Sequence, residues 1–118
     1  MGTPESRVKT RVRKILDKYP QSYKFMPGTH GYGSSGVPDI VACINGKFIA
    51  VECKANGNKP TALQKKNLEQ IVDAGGYAFV VDDSSIGVFI LTIDNVMGGK
   101  VPPYVFDFTN EEEPSKNK

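Results

Sequence analysis

Tryptophan is absent from the sequence, and only two cysteines and one histidine occur among its 118 residues. No cysteines and histidines have the spacing of a structural zinc site, which excludes that class of metal centre. Cys43 and Cys53 lie on strands that we predict to pair, with their Cα atoms roughly 17 Å apart, too far for a disulfide bond. Free cysteines are typical of a reducing compartment, so we expect a cytoplasmic protein.

Long apolar runs and internal repeats are also missing. No stretch approaches the length of about 18 apolar residues that a membrane helix needs, and no N-terminal signal sequence is visible, so we expect neither membrane insertion nor secretion. The length fits one domain, which we predict over residues 1–109. Residues 110–118 are polar and charged without a large apolar side chain, which predicts a disordered tail.

A tight hairpin is predicted where Asn45-Gly46 separates two apolar runs. This dipeptide is the strongest short-range signal for a two-residue type I′ turn. If Ile44 faces Lys47 across the turn, each step back along the first strand matches a step forward along the second. Asp39 then lies opposite Glu52, with Cβ atoms about 4.5–5.5 Å apart.

Lys54 joins this pair of acids, because side chains alternate along a strand and Lys54 shares the face of Glu52. The hairpin is otherwise apolar on both faces, which indicates a sheet interior, so charges at its end need a partner. Mg²⁺ or Mn²⁺ is the natural partner for one or two carboxylates. The alternative is that lysine simply neutralises the two acids. We favour the metal site, since perturbed charges cluster at functional sites.

Two amphipathic helices are predicted, and each has one polar side chain on its buried face. The first begins at Thr3-Pro4, with Thr3 as N-cap, and Glu5 falls within its apolar stripe. The second begins after Thr61 and ends at Gly75-Gly76, and Gln64 shares its apolar face. Both side chains need a polar partner, so both are candidate site residues; an ordinary buried hydrogen bond is the alternative for each.

Short apolar segments predict strands around these helices. Residues 23–26, 77–81 and 104–108 have strand composition, and we expect 77–81 to be central and 104–108 to be an edge strand. Residues 86–97 fit a helical stripe, although 88–93 also has strand composition, and we favour a helix. The sequence therefore predicts an α/β domain with a mixed central sheet flanked by helices.

The charge distribution indicates a polyanionic partner. Residues 1–24 contain seven basic and two acidic side chains, although the net charge of the chain is only +2. Such a helix face is often merely solvated, but beside a metal site it suits phosphate contacts. The glycine-rich loop 27–36 leads into a strand, which excludes a dinucleotide fingerprint and favours close approach to a nucleic-acid backbone. The candidate nucleic-acid contacts are Arg7, Arg11, Lys14, Lys24, His30, Ser34 and Ser35.

Pro38-Asp39, twelve further residues and then Glu52-Cys53-Lys54 resemble the motif of the PD-(D/E)XK nuclease superfamily. The surrounding pattern, over roughly residues 3–98, is most similar to the VRR-NUC (virus-type replication-repair nuclease) branch, a relative of the Holliday-junction resolvases. The resemblance implies a restriction-endonuclease-like core for the sheet and helices.

The resemblance also implies a role for each matching residue. Asp39 and Glu52 would hold a catalytic Mg²⁺ or Mn²⁺, with the backbone carbonyl of Cys53 as a further ligand. Lys54 would orient or activate the attacking water and stabilise the charge of the transition state. Glu5 would support the site through a second metal or a water.

Gln64 would support the same site from the second helix. The implied activity is that of a metal-dependent endodeoxyribonuclease, selective for branched DNA such as Holliday junctions. A homodimer in a viral or bacterial setting would present two sites to a two-fold substrate. Two alternatives stay open: a non-catalytic nucleic-acid-binding module on the same fold, and a metal-dependent enzyme acting on a free nucleotide.

Overall fold

A computed structural model describes residues 2–28 and 36–109 of the chain. The helices and strands in these ranges are α1 (Pro4–Leu16), β1 (Ser22–Phe25), β2 (Ile40–Ile44), β3 (Lys47–Cys53), α2 (Ala62–Asp73), β4 (Tyr77–Val81), α3 (Ile86–Met97) and β5 (Val105–Asp107). Among them, no helix is long and apolar enough to cross a membrane. The predicted tail, 110–118, lies outside the described residues, and the limits of the domain stay a prediction.

The described strands form one mixed sheet in the order β1-β2-β3-β4-β5. β1, β2 and β3 are antiparallel neighbours, whereas β4 and β5 extend the sheet in parallel with β3. The predicted α/β class with a mixed sheet flanked by helices is therefore confirmed. β5 is an edge strand, as expected for this segment. Because β5 pairs beyond β4, the middle strand is β3, and β4 is an interior strand beside it.

The hairpin has the predicted turn and the predicted register. Asn45 and Gly46 adopt positive φ angles of 53° and 84°, as a type I′ turn requires. Ile44 pairs with Lys47, and Ile40 pairs with Val51 at the far end. The same register brings the residue before β2 opposite Glu52. A local turn signal thus determines which side chains meet some distance from the turn.

α1 and α3 pack on one face of the sheet and form the larger part of the core. Phe79 of β4 lies at its centre, with its ring edge-on to Phe89 and stacked on Phe106, both at centroid distances of 5.2 Å. α1 contributes its apolar stripe, which is fully buried. The buried α1 residues are Val8, Val12, Ile15 and Leu16.

α2 covers only part of the opposite face, where Leu68 packs with Ala78 and Val80. Because α2 packs on β4 and β5, the first strands on this face are open to solvent. We call the apolar side chains there the open sheet face; they are Tyr23, Phe25, Cys43 and Phe48. The expectation that the hairpin is buried on both faces is thus wrong near the turn, where Cys43 is exposed and Phe48 is 44% exposed.

Residues 86–97 form a helix, as predicted. Phe89, Ile93 and Val96 are buried, and their spacing places them on one side of α3, against the sheet. The strand-like composition of 88–93 does not decide the outcome, because only the helical period buries these three side chains together. Gly98 ends the helix at its C-cap.

Candidate active site

Glu52 is the buried acid at the centre of the site, with only 2% of its surface exposed. It lies near the end of β3, beside Val80 of β4, on the face that α2 covers. Its Oε2 accepts a hydrogen bond of 2.9 Å from Nε2 of Gln64. The same oxygen lies 3.7 Å from Nζ of Lys54, whose side chain is 12% exposed. A buried carboxylate needs such partners, and here they come from α2 and from the end of β3.

Asp39 lies one residue before β2, where the sequence register places it opposite Glu52. Its Oδ2 accepts a hydrogen bond of 2.8 Å from the backbone N–H of Cys53. β2 begins only at Ile40, so the N–H of Cys53 has no backbone carbonyl of β2 opposite it. The Asp39 side-chain oxygen accepts the hydrogen bond that such a carbonyl would otherwise accept. The bond fixes the Asp39 carboxylate against the end of β3.

Gln64 is oriented by the helix that carries it. Its Oε1 accepts a hydrogen bond of 2.9 Å from the backbone N–H of Thr61, and the Thr61 side chain accepts one from the Gln64 N–H, a complete capping box. Since the amide oxygen is used in the cap, the amide NH₂ points to Glu52. The pattern Thr61-x-x-Gln64 is visible in the sequence and could have predicted this orientation, which the apolar periodicity alone did not.

Glu5 completes a cluster of three acids. It is half-buried in the first turn of α1, behind the N-cap Thr3. One carboxylate oxygen from each of Glu5, Asp39 and Glu52 lies within 4.8 Å of the others. The first helix and the two ends of the hairpin therefore meet at one end of the sheet, with Lys54 beside them.

Comparison with known proteins shows the family of the chain. Residues 22–80 match the family described as archaeal Holliday junction resolvase. The chain is also 35% identical over 91 residues to "Putative nuclease p44" of Acyrthosiphon pisum secondary endosymbiont phage 1, a match covering 76% of this chain and 90% of the phage protein. The chain belongs to the Holliday junction resolvase family of nucleases. The recognised relationship to PD-(D/E)XK nucleases is confirmed.

Comparison of the structure with solved structures agrees with the sequence comparison. A solved structure described as a VRR_NUC domain is similar to it, with a TM-score of 0.60 and 20% identity, and the match covers 85% of this chain and all of that one. At this identity the likeness shows a shared fold, and the predicted VRR-NUC-like architecture is confirmed.

Electrostatics in the nuclease site favour a bound cation. Burial, and then the neighbouring charge of Asp39, raise the pKa of Glu52 from its ordinary value near 4.5 to about 8. Burial also raises the pKa of the Cys53 thiol, beside the same acids, well above its usual range. When all three acids are ionised, they carry three negative charges against the two positive charges of Lys54 and Lys9. A divalent cation would favour loss of the Glu52 proton and compensate the remaining charge.

The donor set fits Mg²⁺ or Mn²⁺. Both metals prefer carboxylate oxygens, and oxygens around a shared ion of this size lie about 3 to 4 Å apart. The 4.8 Å limit of the acidic cluster is slightly wider, so a small inward movement of side chains would suffice. The N–H and C=O of a strand residue point to the same edge, so the Cys53 carbonyl faces the side where Asp39 lies.

The predicted nucleic-acid contacts have different environments in the structure. Arg7 and Lys14 are exposed on α1. Arg11 is exposed too, but its Nη1 lies 2.5 Å from Oδ1 of Asp83. Lys24 is mostly buried, and its ammonium group pairs with the exposed Asp17. The remaining three predicted contacts lie outside the described residues: His30, Ser34 and Ser35.

Lys9 is a site residue that sequence reasoning missed. Its Nζ lies 3.7 Å from Oδ1 of Asp39, and its side chain is 39% exposed. It follows Glu5 by one helical turn, so the spacing i, i+4 was a signal that these two side chains share a face.

Proposed function

We propose that this nuclease is a metal-dependent endonuclease that hydrolyses DNA, with a preference for branched substrates such as Holliday junctions. The single observation that carries the proposal is the convergence of three carboxylates, Glu5, Asp39 and Glu52, with Lys54 beside them. Family membership supports DNA as the substrate. The exposed basic side chains of α1 support a phosphate-rich polymer over a free nucleotide.

Each residue of the site has a distinct task in this proposal. Glu5, Asp39 and Glu52 would hold Mg²⁺ or Mn²⁺, together with the backbone carbonyl of Cys53. The ion, when bound, lowers the pKa of its water and neutralises charge on the scissile phosphate. Lys54 lies close enough to the acids to orient the attacking water and to stabilise the negative charge that develops on the phosphate oxygens.

Gln64 would act through Glu52 rather than on the DNA. Its hydrogen bond keeps Glu52 Oε2 in place, and the capping box keeps Gln64 itself in place. Groups that orient a metal ligand in this way commonly change metal affinity or activity about 10- to 100-fold when they are lost. We therefore assign Gln64 as a positioning residue.

A substrate panel tests the activity. Purified protein is incubated with four-way junction, flap, duplex and single-stranded DNA, in Mg²⁺, in Mn²⁺ and in EDTA. We expect cleavage of the junction with either metal and none in EDTA. Tight binding to DNA without cleavage of any substrate would instead establish a non-catalytic binding module. Release of phosphate from free nucleotides alone would establish a metal-dependent enzyme acting on free nucleotides.

Two substitutions connect the activity with the site. Lys54→Ala is expected to retain DNA and metal binding but lose cleavage, because the charge it compensates develops in the transition state. Asp39→Asn is expected to lower metal affinity in calorimetry. Unchanged cleavage by the first variant would remove Lys54 from the mechanism, and unchanged affinity in the second would remove Asp39 from the ligand set.

We further propose that the nuclease works as a homodimer. A two-fold dimer would present two sites to a substrate with paired strands. The support is the open sheet face, where Tyr23 is 72% exposed and Phe25 is 50% exposed. Contiguous apolar side chains of this kind mark association surfaces in other proteins.

A further inference from the structure

Two lysines approach the acids of the site, and they differ in burial and in partner. Lys54 is only 12% exposed and lies 3.7 Å from Glu52. Lys9 is 39% exposed and lies 3.7 Å from Asp39. Lys54 leaves from the end of β3, whereas Lys9 comes from α1. The more exposed lysine is therefore the one that a substrate arriving from solvent can reach.

The two oxygens of Asp39 have separate partners. Oδ2 accepts the backbone hydrogen bond from Cys53, which fixes the side chain. Oδ1 is the oxygen next to Nζ of Lys9. A cation that binds Asp39 through Oδ1 must therefore share or displace the position that the Lys9 ammonium group occupies.

We propose that Lys9 is the counter-ion of Asp39 in the metal-free protein and becomes a contact for the DNA phosphate when a divalent cation binds the acids. The inference rests on the proposed function, since it assumes a metal and a phosphodiester at this site. A cation beside Oδ1 adds two positive charges next to the ammonium group, and like charges at this distance repel. The flexible four-carbon stem of lysine lets the charge move without a backbone change.

The arrangement also explains why the site has two lysines. Glu52 is held by Gln64, and Lys54 stays beside it in a nearly dry environment. Lys9 has a solvent-exposed path and a partner that the cation takes over. Lys54 is therefore suited to act at the reacting centre. Lys9 is suited to contact a DNA phosphate only when the metal is bound.

Calorimetric titration with Mn²⁺ alone tests the first half of the proposal. Lys9→Gln is expected to bind Mn²⁺ about two- to fivefold more tightly than wild type, the range for loss of a partly exposed ion pair. Lys9→Arg keeps the charge and should resemble wild type. Lys18→Gln removes the same charge from an exposed position beyond the end of α1 and should change nothing. Equal or weaker Mn²⁺ binding by Lys9→Gln would overturn the proposal.

Junction binding tests the second half. In a Lys54→Met background, in which we expect no cleavage, Lys9→Gln is expected to weaken binding to a four-way junction in Mn²⁺ more than in EDTA at the same ionic strength. An equal loss of junction affinity in Mn²⁺ and in EDTA would show an ordinary electrostatic contact. It would overturn the proposal that Lys9 moves from Asp39 to the DNA phosphate when the cation binds.

The failure of this proposal differs from the failure of the proposed function. If wild type binds Mn²⁺ and cleaves junctions, and Lys9→Gln matches it in both Mn²⁺ binding and junction binding, only the proposed role of Lys9 is overturned. A wild type that cleaves no DNA, with Lys9→Gln still binding Mn²⁺ more tightly, overturns the endonuclease and supports the counter-ion. A wild type that binds no Mn²⁺ overturns both.

Discussion

The carboxylates of Asp39 and Glu52 owe their positions to hydrogen bonds from other parts of the chain. The backbone of Cys53 holds the first acid, and the amide of Gln64 holds the second. Each acid thus keeps one oxygen engaged by protein. This arrangement fixes both side chains before any ligand arrives, which lowers the reorganisation that binding a cation requires, although Oδ1 of Asp39 lies beside the Lys9 ammonium group.

The metal-free protein is expected to lose stability as the pH rises from about 5 to about 8. Burial, and then Asp39, raise the pKa of Glu52 from near 4.5 to about 8, so the folded state binds a proton that the unfolded state has released in this range. The contribution of this proton to the free energy of unfolding is therefore fully present below the pKa of the unfolded state. It is lost as the pH rises towards the pKa of the folded state, by at most about 1.4 kcal/mol per pH unit for one proton. Urea unfolding in EDTA at several pH values measures the slope.

Glu52→Gln is the matched control for this pH dependence. The amide is neutral at every pH and has nearly the same shape, so we expect the slope between pH 5 and pH 8 to flatten. Mn²⁺ should restore stability to wild type at high pH but not to the variant, because the variant lacks a charged ligand. A wild type whose stability rises over this pH range would contradict the assignment of the proton to Glu52.

At the scale of the element, Gln64 at the N-terminus of α2 has two tasks: it completes the helix cap and it donates a hydrogen bond to Glu52. Gln64→Glu separates them, because a carboxylate can still accept the hydrogen bond from Thr61 but cannot donate one to Glu52. We expect the capping box to be kept, thermal stability to fall because the new carboxylate repels Glu52, and metal affinity to be reduced by about 10- to 100-fold. Thermal unfolding and Mn²⁺ calorimetry measure the two effects.

Gln64→Ala is the companion variant, since it removes both the cap contact and the donor. It should lose stability, by about 1 kcal/mol, as well as metal affinity. If Gln64→Glu bound Mn²⁺ as tightly as wild type, the hydrogen bond to Glu52 would have no part in the metal site.

The segment that precedes β2 is expected to be more sensitive to substitution than the hairpin turn. Gly36 and Gly46 both have positive φ, 82° and 84°, so alanine at either costs about 1–2 kcal/mol from backbone strain. A Cβ on Gly46 would meet nothing within 4 Å, whereas one on Gly36 would lie 2.9 Å from the Leu63 side chain and 3.0 Å from its backbone carbon.

Gly36→Ala should therefore destabilise the protein more than Gly46→Ala. It should also reduce cleavage by the folded protein, because relief of the clash with α2 shifts the chain that leads to Asp39. Denaturant unfolding and cleavage under native conditions measure both effects. Equal losses in the two variants would show that the contact between Gly36 and α2 has no energetic weight.

At the scale of the whole molecule, the open sheet face is the predicted dimer surface. Tyr23→Lys places a charge among its apolar side chains and should shift wild-type dimers to monomers in sedimentation equilibrium, because a charge is costly at a desolvated interface. Leu91→Lys is the control, since Leu91 is similarly exposed, at 67%, but lies on α3 at the other face. A dimer that persists in Tyr23→Lys, or a monomeric wild type, would contradict this surface.

The parts of the site that could be predicted from the sequence depend on local rules. Asn45-Gly46 determines the turn, and the turn determines that Asp39 and Glu52 meet, because strand pairing has a period of two residues. Thr3 and Thr61 indicate where α1 and α2 begin for a similarly local reason, since each caps backbone groups within one turn. The same logic failed for burial near Phe48, because the position of α2 over the sheet depends on packing that is remote in sequence.

The sequence by itself determined the helices, the hairpin register, the pairing of two acids and the kinship to the resolvase nucleases. Short-range backbone geometry and side-chain periodicity are sufficient for these features. The sequence also indicated Glu5 as a site residue, from the helical stripe and the family resemblance. Only the tertiary structure decided that Lys9 faces Asp39 and that Lys24 pairs with Asp17. These contacts depend on how α1 crosses the sheet, and that crossing is set by the packing of the whole core.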